Sequence, residues 1–142
     1  MIAATFAALL ATAYAAHQLA DHVIGQTDSQ AAAKAAPGRA GWLALARHVG
    51  AYHLIQIVMV GLTVAVLGLP LSLPGALAGM AISAGTHLLW DRRTPVRWVL
   101  DHVGAPRFAR LADHGLNGMY LADQALHVAC LWAAALTVVA LS

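Results

Sequence analysis

The chain has 142 residues, 61% hydrophobic and only 10% charged, with a net charge of +2. A water-soluble domain carries about 25% charged residues; so few cannot cover a soluble surface, and a mean hydropathy of +0.71 agrees. These values exclude a soluble protein and predict an integral membrane protein, one domain over residues 1–142.

The small positive charge gives no signal for nucleic acid. The single cysteine, Cys130, excludes an intramolecular disulfide.

The expected architecture is an all-α membrane protein, with four transmembrane helices in an antiparallel bundle. The first apolar run covers about residues 2–24. "AYA" at 13–15 mimics a signal-peptide cleavage site, but residues 1–16 contain no Lys or Arg, and a signal peptide begins with a basic region. The run is therefore read as a retained span. Thr27 and Gln30 then fit a capping box for a short helix over 28–35, stopped by Pro37-Gly38. The second run covers about 42–69 and the third about 75–91; between them Pro70, Pro74 and Gly75 break the helix. Thr94-Pro95 reads as a helix start for "PVRWVLDHV", a segment that could lie on the membrane surface. A second short helix is expected after Pro106. The fourth run covers about 120–141. Each run is close to the ~20 residues needed to cross the hydrocarbon core.

Lys34, Arg39 and Arg47 lie in or beside the first loop. Arg92, Arg93, Arg97, Arg107 and Arg110 lie in the third. All eight basic residues thus fall on one side of a four-span topology. The positive-inside rule makes that side cytoplasmic and puts both termini outside, as a multi-pass protein of the inner (cytoplasmic) membrane.

The polar residues inside the runs repeat a pattern. Runs one and three carry His-x-x-x-Asp: His17 with Asp21, and His87 with Asp91. Run four, pointing the other way, carries Asp123 with His127. The motif reverses when the helix direction reverses, so every Asp is nearer the cytoplasm and every His about one turn deeper. His48 opens run two at the same level. An Asp well inside a span costs on the order of 2.5–3.5 kcal/mol. These groups must therefore satisfy one another, reach water or bind something. Any single pair reads as an interhelical hydrogen-bonded lock. Three mirrored pairs at one depth read as a metal site. Its ligands are His17, Asp21, His48, His87, Asp91, Asp123 and His127. Carboxylate and imidazole suit Zn best, with Mn or Fe as alternatives, as one ion or two.

Other polar residues are read more plainly. His53, five residues from His48, faces another way and is a neighbour of the site. His22 points toward the headgroups. Asp101-His102 and Asp113-His114 are solvated. Gln26 and Asp28 lie at the rim. Ser83 and Thr86 are helix-packing residues. Trp42, Trp90, Trp98 and Tyr120 suit an interfacial belt.

"HQLADHVIGQTD", "RHVGAYH", "HLLWD" and "DQALH", in that order over nearly the whole chain, resemble the bacterial membrane family called domain of unknown function 3307. The resemblance singles out His17, Asp21, Gln26, Asp28, His48, His87, Asp91, Asp123, Gln124 and His127, and not His53. It supports the site and supplies no reaction.

Three functions fit these residues. The first is a metal-dependent hydrolase acting on a lipid or lipid-linked phosphate, with Arg92, Arg93 and Arg97 holding the phosphate. The second is a metal-ion or proton transporter, although the outer halves of the spans carry almost nothing polar but Thr. The third is a non-catalytic scaffold subunit. Membrane lipids are the expected surroundings, no nucleic acid is expected, and a homo-oligomer is compatible with each reading.

Overall fold

A computed structural model describes residues 1–142 and is mostly helical. Helix α1 covers Ile2–Leu19 and continues as a π turn, Ala20–Ile24. The rest of the chain forms α2 (Asp28–Ala33), α3 (Gly38–Leu67), α4 (Leu73–Trp90), α5 (Thr94–His102) and α6 (Gly118–Ala140).

Three helical stretches are long and apolar enough to cross a membrane: Ile2–Ile24, Gly38–Leu67 and Gly118–Ala140. Helix α4, the expected third span, has 18 residues and carries Pro74, three glycines, Ser83, Thr86 and His87. With α1 counted through its π turn, α4 is the shortest of the four long helical stretches.

Local chemistry explains the boundaries. The capping box of α2 forms as expected. Thr27 Oγ1 accepts from the Gln30 amide, and Gln30 Oε1 accepts from the Thr27 amide at 2.8 Å. Pro37 supplies the extended residue before α3, so that helix starts four residues earlier than the apolar run. It ends at Gly68, whose φ of 60° favours glycine. Ser72 caps α4, accepting from the Gly75 amide at 3.0 Å. Helix α5 begins at Thr94 rather than Pro95, because Arg93 takes the capping position with φ 61°.

After a single 3-10 turn at Phe108–Arg110, a hairpin that the sequence reading did not expect pairs Ala112–Asp113 (β1) with Leu116–Asn117 (β2). Its corner, His114-Gly115, has positive φ at both residues, as such two-residue turns require.

The contacts run in opposite order along neighbouring helices. Down α1 and up α3, Thr12 meets Thr63 (3.1 Å), His17 meets Tyr52 (3.1 Å) and Asp21 meets His48 (3.1 Å). Between α4 and α6, Ser72 bonds to Leu141 and Trp90 to Cys130. This second pair packs closely. A Cβ on Gly79 would lie 2.4 Å from Val138 Cγ2, and one on Gly75 would lie 2.7 Å from the Val138 carbonyl. Gly75, Gly79 and Ser83 thus form a stripe of small residues at four-residue spacing.

The molecule is inverted relative to a soluble protein. Of its 29 buried residues, eleven are polar or charged. Meanwhile Leu54, Ile57, Val58, Leu62 and Val66 of α3 lie exposed. An exposed apolar surface of this extent marks contact with another apolar phase. Helix α5 buries Val96 and Leu100 in a cluster with Ala109, packed against Trp90 and Met119, and leaves Trp98 exposed.

Candidate metal centre

The polar core lies where the π turn, the start of α3, the end of α4 and the start of α6 converge. Its centre is four side chains: Asp21, His48, His87 and Asp91, all buried, with one ligand atom from each lying within 4.8 Å of the others. His48 Nε2 is 3.1 Å from Asp21 Oδ1, 3.2 Å from Asp91 Oδ2 and 3.1 Å from His87 Nε2. His87 Nε2 is 3.3 Å from Asp91 Oδ2. A tetrahedral ion with bonds of about 2.0–2.1 Å needs ligand atoms about 3.3–3.4 Å apart. The four measured separations lie close to that edge length.

Hydrogen bonding prepares these atoms. The Gly25 carbonyl can only accept, so His48 donates to it from Nδ1 at 3.2 Å. In the neutral ring, Nε2 then carries its lone pair toward two carboxylates. Such a group of acceptors needs a cation at its centre, a proton or a metal ion. Asp21 Oδ1 and Asp91 Oδ2, both buried, have no hydrogen-bond partner. His127 is prepared in the same way: Nδ1 donates to the Asp123 carbonyl at 2.8 Å, and Nε2 is buried without a partner. A ring nitrogen fixed on a backbone carbonyl is how proteins set the tautomer of a metal-binding histidine.

The π turn matters for aim. One extra residue per turn changes the direction of Asp21 relative to His17, a common device at functional sites. Asp21 faces His48, whereas His17 faces Tyr52 and Gln124. The seven expected ligands therefore do not form one cluster. Asp91, Asp123 and His127 make a second group, and His17, Asp21 and His22 make a third.

Gln124 fills the third group. Its Oε1 accepts from His17 Nε2 at 2.8 Å and from His22 Nε2 at 3.1 Å. Its Nε2 donates to Asp21 Oδ2 at 2.9 Å. With its Nε2 proton engaged, a neutral His17 accepts at Nδ1 from the Tyr52 hydroxyl, 3.1 Å away. His17 is thus committed to hydrogen bonds on both sides. His22, expected to point away, turns back onto Gln124. His53 stands beside the site as expected: Nδ1 donates to the Val49 carbonyl, and Nε2 lies 3.1 Å from Ser83 Oγ. Gln26 Nε2 donates to the Asp21 carbonyl at 3.3 Å, whereas Asp28 is exposed in the first turn of α2.

Two residues were missed. Lys34, read as a loop cation, is buried, with Nζ 2.9 Å from Asp91 Oδ1 and 3.9 Å from Asp21 Oδ1. Tyr52 is 1% exposed and links His17 to the ring of His87, 4.1 Å away between centroids. A lysine after "QAAA" resembles any exposed helix end. Tyr52 offered a weak signal, since it is four residues from His48 on α3.

A cavity of about 450 Å³ opens onto Asp21, Asp91 and Asp123, with Lys34, Arg93 and Tyr120 on its wall. Nearby, Arg92 stacks over Trp42 at 4.5 Å and donates to the Lys34 carbonyl at 2.9 Å, pinning the α2–α3 turn over the site. None of the family models, curated proteins or solved structures compared with the chain matches it.

Proposed function

We propose that this chain is a four-span membrane protein that holds a divalent metal ion on Asp21, His48, His87 and Asp91, and that it hydrolyses a lipid or lipid-linked phosphate. The observation that carries the metal reading is the convergence of four buried ligand atoms within 4.8 Å, four of their six separations being 3.1–3.3 Å, with the two carboxylate oxygens approached at that range only by histidine ring nitrogens. Zn fits the mixed nitrogen and oxygen donors best, and Mn is the alternative.

The cavity supports the hydrolase reading. It presents the metal-facing carboxylates together with Lys34 and Arg93, the pairing a phosphate ester requires. A bound divalent metal supplies a nucleophilic water at neutral pH and polarises a phosphoryl oxygen. With only this one ion bound, the unpartnered Oδ1 of Asp123 beside the cavity supports its role as the proton acceptor. The arginines at this end of the bundle support an orientation with the site toward the cytoplasm.

A transport reading draws on one observation. Polar contacts continue from His53 through Ser83 to Gln56, and these last two residues line a second cavity of about 310 Å³. That cavity is otherwise mostly apolar, which favours a hydrocarbon chain over a hydrated ion path.

The test begins with elemental mass spectrometry of detergent-purified protein beside a His87→Ala/Asp91→Ala variant, each checked for helicity. Stoichiometric metal in the parent and none in the variant supports the site. Phosphate release from lipid-linked phosphates, abolished by a chelator, supports the hydrolase. Metal without turnover, but with ion flux into liposomes, would replace that reaction with transport.

A further inference from the structure

The two oxygens of Asp91 face different groups. Oδ2 lies 3.2 Å from His48 Nε2 and 3.3 Å from His87 Nε2. Oδ1 lies 2.9 Å from Lys34 Nζ and 3.9 Å from His127 Nε2. A carboxylate placed this way can join two cations, one on each oxygen.

On the Oδ1 side the remaining donors are Asp123 and His127, whose ligand atoms and that of Asp91 lie within 4.8 Å of one another. His127 is 3% exposed, its Nδ1 is fixed on a carbonyl, and its Nε2 is without a partner. Asp123 Oδ1 is likewise buried and unpartnered, while Asp123 Oδ2 accepts from Gln124 at 3.3 Å. The third group differs in kind, because Gln124 already satisfies it.

We infer that Asp91 bridges two cation positions, and that the second, formed by Asp91, Asp123 and His127, takes a divalent metal ion in exchange for the Lys34 ammonium. This rests on the metal reading of the first position. The exchange follows from charge. Asp21, Asp91 and Asp123 carry three negative charges when ionised, and Lys34 alone leaves two of them uncompensated. One divalent ion at the first position balances the group with Lys34 in place. A second ion at Asp91 Oδ1 must meet Lys34 there and displace it. The second site is therefore weaker than the first, and it strengthens when Lys34 loses its charge.

Zinc and manganese titrations of the full chain in detergent test this, using equilibrium dialysis and elemental analysis. The expected result is two equivalents per chain, the second weaker. His127→Ala and Asp123→Asn should each retain one. Lys34→Met, which keeps most of the stem, should tighten the second equivalent by roughly tenfold, as expected for removal of a coupled competing charge. Mn(II) electron paramagnetic resonance gives a second readout. An exchange-broadened spectrum in the parent should become an isolated-ion spectrum in His127→Ala. One equivalent in the parent, unchanged in His127→Ala and in Lys34→Met, would overturn the second site and leave the first. No metal in any of them would instead remove the first reading.

Discussion

Lys34 and Asp91, separated by 57 positions in sequence, meet as a buried ion pair at 2.9 Å. The pair ties the turn after α2 to the end of α4, and it sets a cation against the layer of carboxylates. Removing one partner of a buried pair leaves the other charge uncompensated, at a cost of about 3–5 kcal/mol. Lys34→Met should therefore lower the thermal midpoint markedly in chelator-treated protein. Saturating zinc should restore most of the loss. A midpoint equally low with and without zinc would mean that Lys34 has a purely structural role.

Gln124 offers a test by charge at nearly constant shape. Its amide nitrogen donates to Asp21 at 2.9 Å and to Asp123 at 3.3 Å. Gln124→Glu replaces that donor with an acceptor among carboxylates. The metal-free variant should lose about 1–3 kcal/mol for each buried group left without its partner. Denaturant unfolding in mixed micelles measures the loss. A variant as stable as the parent would show that the layer is wetter than its burial implies.

Acid should release the metal. Binding at His48 and His87 requires both rings unprotonated at Nε2, so protons compete with the ion. The sign is fixed: affinity falls as pH falls, by about tenfold per unit for each proton displaced on binding. Competition dialysis at several pH values reads this directly. A pH-independent affinity would place the ion elsewhere.

Packing between α4 and α6 can be tested apart from the site. A Cβ on Gly79 would lie 2.4 Å from Val138 and 3.1 Å from the Ala134 carbonyl, whereas one on Gly85 meets nothing within 4 Å. Gly79→Ala should cost about 1–3 kcal/mol through overpacking. Gly85→Ala, on the same helix, should be neutral or slightly stabilising. Equal effects at the two positions would contradict the close approach of these helices.

The layer was legible from sequence to an uneven degree. His-x-x-x-Asp, reversed on α6, is visible because helical spacing converts four positions into one face. Asp21, His87 and Asp91 were found that way, and His48 by its level at the start of run two. Three things were hidden. The π turn leaves no mark in hydropathy, so the divergence of His17 from Asp21 could not be read. Lys34 reaches the core through a tertiary fold-back of α2, and no periodicity encodes that. The role of Gln124 as a plug for His17 and His22 depends on amide orientation, which only packing reveals. Ser83 was read as a helix-packing residue, but only the structure shows that Gly75, Gly79 and Ser83 form one stripe, with the two glycines packed against α6.

The polar layer also bears on how such a chain is made. Its polar side chains come from four separate helices, so no helix alone satisfies the whole layer when it enters lipid. Each Asp left within a span costs on the order of 2.5–3.5 kcal/mol until its partners arrive. Helices that insert one at a time would thus be individually reluctant and collectively committed, with α6 and its His127 last to close the layer. If the layer closes around a metal as proposed, cells short of it would accumulate newly made chains that are inserted but loosely assembled, and these would be exposed to proteolytic quality control.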